Sequence, residues 1–179
     1  MKTKAVVFPE ANRYEVVELT LPEPGPSDMV VRTLVTAISP GTERWVLRGK
    51  HIGTTFPCVP GYHRIGVVEA CGDAVCAFEP GDIVYGSGNA WQETEINSMW
   101  AAHVGHSVSP VAGYNFLYAT RPNQLELDTV AFSIVVGVAN RGVRFLEVQP
   151  VEKVLIIGAG IIGICAAQLC AFRGASAVL

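Results

Sequence analysis

Residues 158–163 read Gly158-Ala159-Gly160-Ile161-Ile162-Gly163. The G-x-G-x-x-G spacing does its chemistry through missing side chains. Its first glycine permits a tight turn, its second lets backbone approach a pyrophosphate, and its third lets a helix pack close to a strand. The motif is informative only between a strand and a helix. Here the continuous apolar run Lys153-Val154-Leu155-Ile156-Ile157 precedes it, the pattern of a parallel strand covered on both faces, and Ile164–Phe172 follows at helical length. The free N–H groups and partial positive charge of the helix start would face the phosphates. Gly158, Ala159, Gly160, Ile161, Ile162 and Gly163 are therefore the expected cofactor-binding residues, for NAD or NADP. The acidic residue that distinguishes those two is expected about 20 residues after the loop, past Leu179.

The second chemical candidate is Pro60-Gly61-Tyr62-His63-Arg64-Ile65-Gly66, a lone histidine between an aromatic ring and a guanidinium. An imidazole exchanges protons near neutrality, so His63 reads as a metal ligand, a catalytic group, or a turn histidine bonded to backbone. Arg64 reads as a clamp for a carboxylate or phosphate, or as a surface charge. A catalytic zinc takes about three protein ligands, and one imidazole beside a guanidinium does not supply them. His103 and His106 have no thiol or carboxylate at ligand spacing and read as exposed or locally bonded. Cys165 and Cys170 stand five apart on the expected helix, roughly 140° around it, and cannot face one metal. No metal is expected.

The elements that must hold these groups change character along the chain. The first half shows short β-rich runs, Ala5–Phe8, Tyr14–Leu19, Val30–Ala37, Ile65–Cys71 and Ile83–Tyr85, punctuated by Pro and Gly. Leu21-Pro22-Glu23-Pro24-Gly25-Pro26-Ser27-Asp28 between them is a loop. Many short strands with turn signals predict a β-barrel-like domain. Asp128-Thr129 predicts the start of a helix running to about Leu146. Strand, glycine loop, helix and a second strand from Ala175 then make a β-α-β unit. Such a unit cannot bury its own sheet faces, so the chain is expected to be the front part of a longer protein. The boundaries predicted are 1–125 and 126–179.

The 179 residues carry a net charge of −3, which argues against nucleic acid as partner. No apolar run reaches the roughly 18 residues of a membrane span. Five cysteines without a secretion signal point to reduced thiols and a cytoplasmic protein.

Gly41-Thr42-Glu43, Gly61-Tyr62-His63-Arg64, Gly81-Asp82-Ile83-Val84 and the glycine loop are together similar to motifs of the medium-chain dehydrogenase/reductase superfamily, the zinc-type alcohol dehydrogenase-like proteins. The resemblance covers essentially the whole chain. It implies a GroES-like β-barrel domain carrying the catalytic groups, then the start of a Rossmann nucleotide-binding domain, hence α/β with a β-rich N-terminal part. The sequence departs from the zinc pattern. The segment before Gly41 is Ile38-Ser39-Pro40 with no thiol, the residue after His63 is Arg64 rather than an acid, and the third ligand position falls near Val135. The resemblance therefore implies a zinc-independent member that moves a hydride to or from a carbonyl/alcohol or an activated C=C bond of a small organic substrate.

Thr42, which matches the threonine that relays a proton in zinc members, His63 and Ser39 are the implied catalytic residues, with Arg64 substrate-binding. Thr42 also reads as the N-cap of a short helix ending at Gly49, and Ser39 before Pro40 as a plain turn residue. A homodimer is expected. The alternative is a non-catalytic nucleotide-binding sensor or structural protein on the same fold.

Overall fold

The structure, a computed structural model, describes residues 1–118 and 124–178. It divides into two compact units, Met1–Ala131 and Phe132–Leu179.

The first unit is built from strands β1 (Lys2–Val7), β2 (Glu15–Thr20) and β3 (Asp28–Ala37), helix α1 (Pro40–Leu47), strands β4 (Cys58–Val59), β5 (His63–Cys71), β6 (Ile83–Gly86), β7 (Asn97–Ser98), β8 (His106–Pro110) and β9 (Tyr114–Tyr118), and helix α2 (Gln124–Val130). β8, β3, β5, β6 and β9 form a five-stranded antiparallel sheet in that order, beside a β1–β2 hairpin and a short parallel β4–β7 pair. Alternation fixes the register. In β3, Met29 and Val31 are fully buried on one face and pack with Val68 of β5 and Val84 of β6. Arg32, in the opposite phase, points outward to Glu69 at 2.7 Å. A one-residue slip would turn both apolar side chains to water, at about 1.5–3 kcal/mol each. The β3–β5 register is irregular between Val30 and Val31 and between Thr33 and Val35, and beyond the second irregularity it sets Thr36 opposite Arg64 and Ala37 opposite His63.

The helix predicted from Asp128 to about Leu146 is two helices. α2 ends at Val130, and α3 (Ser133–Phe145) begins after Ala131 and Phe132. Leu127 and Ala131 are buried against Ile65 and Ile83, so α2 is held by the sheet of the first unit. Tertiary packing overrides the continuous helical reading here.

The second unit continues with β10 (Lys153–Leu155), α4 (Ile161–Phe172) and β11 (Ser176–Val178), with β10 and β11 parallel. This is the predicted β-α-β unit. Val143 of α3 and Cys170 of α4 are buried together with Val148. The apolar run at 153–157 was expected to be covered on both faces. It is not among the described residues: the strand is three residues long, Leu155 is 71% exposed and Ile157 92% exposed. Two strands and two helices supply too little surface to cover both sides. No described helix is long and apolar enough to cross a membrane.

Candidate functional site

The glycine loop lies in the second unit and has the geometry its sequence requires. Gly158 sits at φ 105°, a left-handed conformation that side chains disfavour. A Cβ on Gly163 would meet Gly158 O at 1.9 Å, so the helix closes on the loop only because that carbon is missing. Gly160 is the N-cap of α4, and a Cβ there would meet nothing within 4 Å. Open space in front of a helix N-terminus, walled by backbone, is what a pyrophosphate needs. The residues at 158–163 therefore fit a dinucleotide.

In the first unit the other expected residues gather where β3 gives way to α1. Ser39, not Thr42, is the N-cap of α1, with Pro40 in the first turn; the Ser39 hydroxyl makes no cap bond. Instead the Glu43 carboxylate reaches back, and its Oε1 accepts the Ser39 N–H at 2.9 Å. Thr42 is half-buried in that first turn. The N-cap reading of Thr42 failed because Pro40, which has no N–H needing an acceptor, opens the helix earlier and makes Ser39 the cap.

His63 opens β5, is 3% exposed, and stacks edge-on against Tyr62 with ring centroids 4.2 Å apart. Neither ring nitrogen has a hydrogen-bond partner among the described residues. A turn histidine bonded to backbone is thus not what the structure places there. Burial lowers its pKa; the Glu43 charge opposes that shift and His103 reinforces it. The imidazole is held neutral, so its unfolded form binds protons more readily. Stability therefore holds above the unfolded pKa of about 6.5 and falls as pH drops below it. Compared with His63→Asn, the wild type should lose stability on acidification from pH 7.5 to 5, by at most about 1.4 kcal/mol per pH unit for one proton. Urea unfolding across that range checks this, and parallel pH profiles of the two proteins would refute it.

Arg64 requires correction. It is neither a surface charge nor placed to clamp a substrate anion, being 1% exposed. Its Nη1 donates to Ala101 O at 3.1 Å, and its Nη2 donates to Gly88 O at 2.8 Å and to the Tyr114 hydroxyl. These internal acceptors occupy the end groups that would hold a ligand.

His103 is expected from the sequence to be exposed or locally bonded, and the structure places it otherwise. Its Nε2 lies 2.9 Å from Glu43 Oε2 and its Nδ1 3.1 Å from Thr36 Oγ1, and the His103 and Glu43 side chains are 9% and 10% exposed. Gly61, at φ 94°, makes room for it, since a Cβ there would stand 2.6 Å from the imidazole. That glycine two residues before His63 was the available signal. Among the described residues no three His, Cys, Asp or Glu side chains come together as a group that could hold a metal. Burial pushes the Cys58 thiol up to about 11, which removes it as a nucleophile near neutrality.

The chain thus runs from a β-rich unit into a β-α-β unit that carries the G-x-G-x-x-G loop. The profile of the alcohol dehydrogenase GroES-like domain matches residues 25–125. The chain belongs to that family, within the medium-chain dehydrogenases/reductases. It is 28% identical over 203 residues to aldehyde reductase YahK of Escherichia coli (strain K12), covering 99% of this chain and 58% of the relative. It is 35% identical over 118 residues to the 2-desacetyl-2-hydroxyethyl bacteriochlorophyllide A dehydrogenase of Cereibacter sphaeroides, covering 62% of this chain and 36% of the relative. CAD from Helicobacter pylori, solved in complex with NADP(H), superposes with a TM-score of 0.81 at 16% identity, over 99% of this chain and 58% of that one. The chain thus spans little more than half the length of the relatives it matches from end to end.

Proposed function

We propose that the protein containing this chain is an NAD(P)(H)-dependent oxidoreductase that moves a hydride between the nicotinamide and a carbonyl/alcohol or an activated C=C bond of a small organic substrate, without zinc. The observation that carries this reading is the cradle at Gly158–Gly163: left-handed turn, open N-cap and glycine-tight helix in one loop. Membership in a family whose relatives are named reductases and dehydrogenases supports it.

The bound nicotinamide supplies or takes the hydride, and the chain's own residues handle the oxygen and its proton. The Thr42 hydroxyl, in the first turn of α1, donates to the reacting oxygen, and the Ser39 hydroxyl, unused in capping, is the second donor. Preorganised donors aimed at developing negative charge supply the largest single contribution in such reactions. We assign the proton exchange to His63: the neutral imidazole accepts the alcohol proton in oxidation and becomes an imidazolium, and in reduction an imidazolium protonated from solvent gives that proton to the reacting oxygen.

Titration with NADPH and NADH, followed by cofactor fluorescence, tests the cradle, and saturable binding of at least one is expected. Turnover is then sought with ketones, quinones and enones. Thr42→Val and His63→Asn should each lower turnover by about 10²–10⁴-fold while leaving nucleotide affinity within about twofold. Binding without turnover anywhere in the panel would identify a nucleotide sensor instead, and no binding of either dinucleotide would refute both readings.

A further inference from the structure

The three side chains joined around His103 also line a cavity of about 500 Å³ framed by β1, β2, the end of β3 and α1. Most of its wall is hydrocarbon, including Val6, Phe8, Val16 and Leu47. Of the polar groups that reach it, Thr33 is spent, its hydroxyl donating to Val104 O at 2.6 Å. Lys4 and Tyr14 stand on the wall as exposed residues, and the buried or half-buried polar groups that remain are Thr36, His103 and Glu43. An apolar pocket with a few convergent polar groups is the usual form of a small-molecule site.

Their bonding shows which atom a ligand would meet. Glu43 accepts on both oxygens, from Ser39 N–H and from His103. His103 Nε2 therefore carries a hydrogen, and Nδ1 is left to Thr36 Oγ1. A hydroxyl has one donor and two acceptor positions. Thr36 Oγ1 uses one of these on His103, and no other partner for it is found among the described residues. When the imidazole is neutral, Nδ1 accepts the Thr36 proton and Oγ1 turns lone pairs to the cavity, which suits an alcohol. When it is charged, Nδ1–H donates to Oγ1 and the Thr36 O–H is free, which suits a carbonyl. Besides Glu43 of α1, the titratable groups bearing on the ring are His63 of β5, which it influences electrostatically, and Lys4 of β1 on the same cavity wall. A charged His103 offsets Glu43, and with a neutral ring the Glu43 carboxylate still has Ser39 N–H and His103 Nε2–H as donors, so neither state leaves a carboxylate without donors beside Thr36.

We propose that this cavity binds a small, neutral, largely apolar molecule carrying one carbonyl or hydroxyl oxygen, and that Thr36, backed by His103 and Glu43, is the group that recognises that oxygen. The site lies wholly in the first unit and needs no nucleotide. Its test therefore omits the dinucleotide, and its failure would leave the hydride-transfer reading standing, as the converse would leave this one.

The probes are cyclohexanone, cyclohexanol and methylcyclohexane, titrated into the full chain and followed by amide NMR shifts. Saturable shifts at Val6, Thr36 and Val104 are expected with all three. Thr36→Val should weaken the ketone and the alcohol about tenfold, about 1.4 kcal/mol, and leave the hydrocarbon unchanged. Val16 is 66% exposed on β2, so Val16→Trp fills the cavity from the surface without loading the core and should abolish binding of all three. This second variant keeps the test open if Thr36→Val does not fold. The proposal is overturned if no probe saturates, if shifts fall outside the cavity, if Thr36→Val holds the ketone as tightly as wild type, or if binding survives Val16→Trp.

Discussion

Gly160→Ala should leave the fold intact and remove the nucleotide, whereas Gly163→Ala should damage the fold itself. At Gly160 the backbone, φ −77° and ψ 176°, is one that alanine adopts freely, and the added methyl would meet nothing within 4 Å. Stability should fall by no more than about 1 kcal/mol, the cost of alanine in place of glycine at an N-cap. The methyl instead occupies the space through which a pyrophosphate approaches the α4 N-terminus, so NADPH affinity should fall at least a hundredfold, about 2.7 kcal/mol. At Gly163 the methyl would lie 1.9 Å from Gly158 O, which is backbone and has nowhere cheap to go. Helix and loop must part, at about 1–3 kcal/mol or more, and binding is lost with them. Urea unfolding and NADPH fluorescence on the same two variants separate the effects. A Gly160→Ala protein that binds NADPH like wild type would remove the cradle from the functional reading.

The contrast between that loop and the rest of the site shows what sequence order can carry. The loop's conformation was readable because its cause is local: three glycines within six residues, flanked by a strand and a helix, determine one another's conformation. The β3 and β5 runs were readable for a similar reason, since alternation is written into each strand. His103 was not, because its partners are Glu43 and Thr36, 60 and 67 residues away. Nothing near His103 in sequence announces them. Arg64 misled for the same reason. A guanidinium two residues from a Tyr reads as exposed by default, and its neutral acceptors at Gly88, Ala101 and Tyr114 lie 24, 37 and 50 residues away in sequence. The break between α2 and α3 arose from Ala131, a residue with no signal of its own, being drawn into the sheet's core.

Tyr114→Phe should be among the most destabilising single-atom deletions in the first unit. The phenol oxygen takes a hydrogen bond from Arg64 Nη2, lies 2.5 Å from Ser107 Oγ, and accepts from Ser109 Oγ at 3.3 Å. No carboxylate pairs with this guanidinium among the described residues, and its charge is carried by two carbonyls and this one hydroxyl. Burial lowers the Arg64 pKa, and Tyr114 works against that shift. Removing the oxygen keeps the ring, whose centroid lies 5.4 Å from the guanidinium carbon, so packing is unchanged and the loss is polar. A buried charged donor left without its acceptor should cost about 2–4 kcal/mol in urea unfolding. Arg64→Met removes the charge with its need for solvation, so the double variant Arg64→Met/Tyr114→Phe should be more stable than Tyr114→Phe alone. That ordering follows only if the phenol's chief task is to solvate a buried cation. Additive losses in the double-mutant cycle would mean that Arg64 and Tyr114 contribute independently, and the account of Tyr114 as the group that solvates Arg64 would fail.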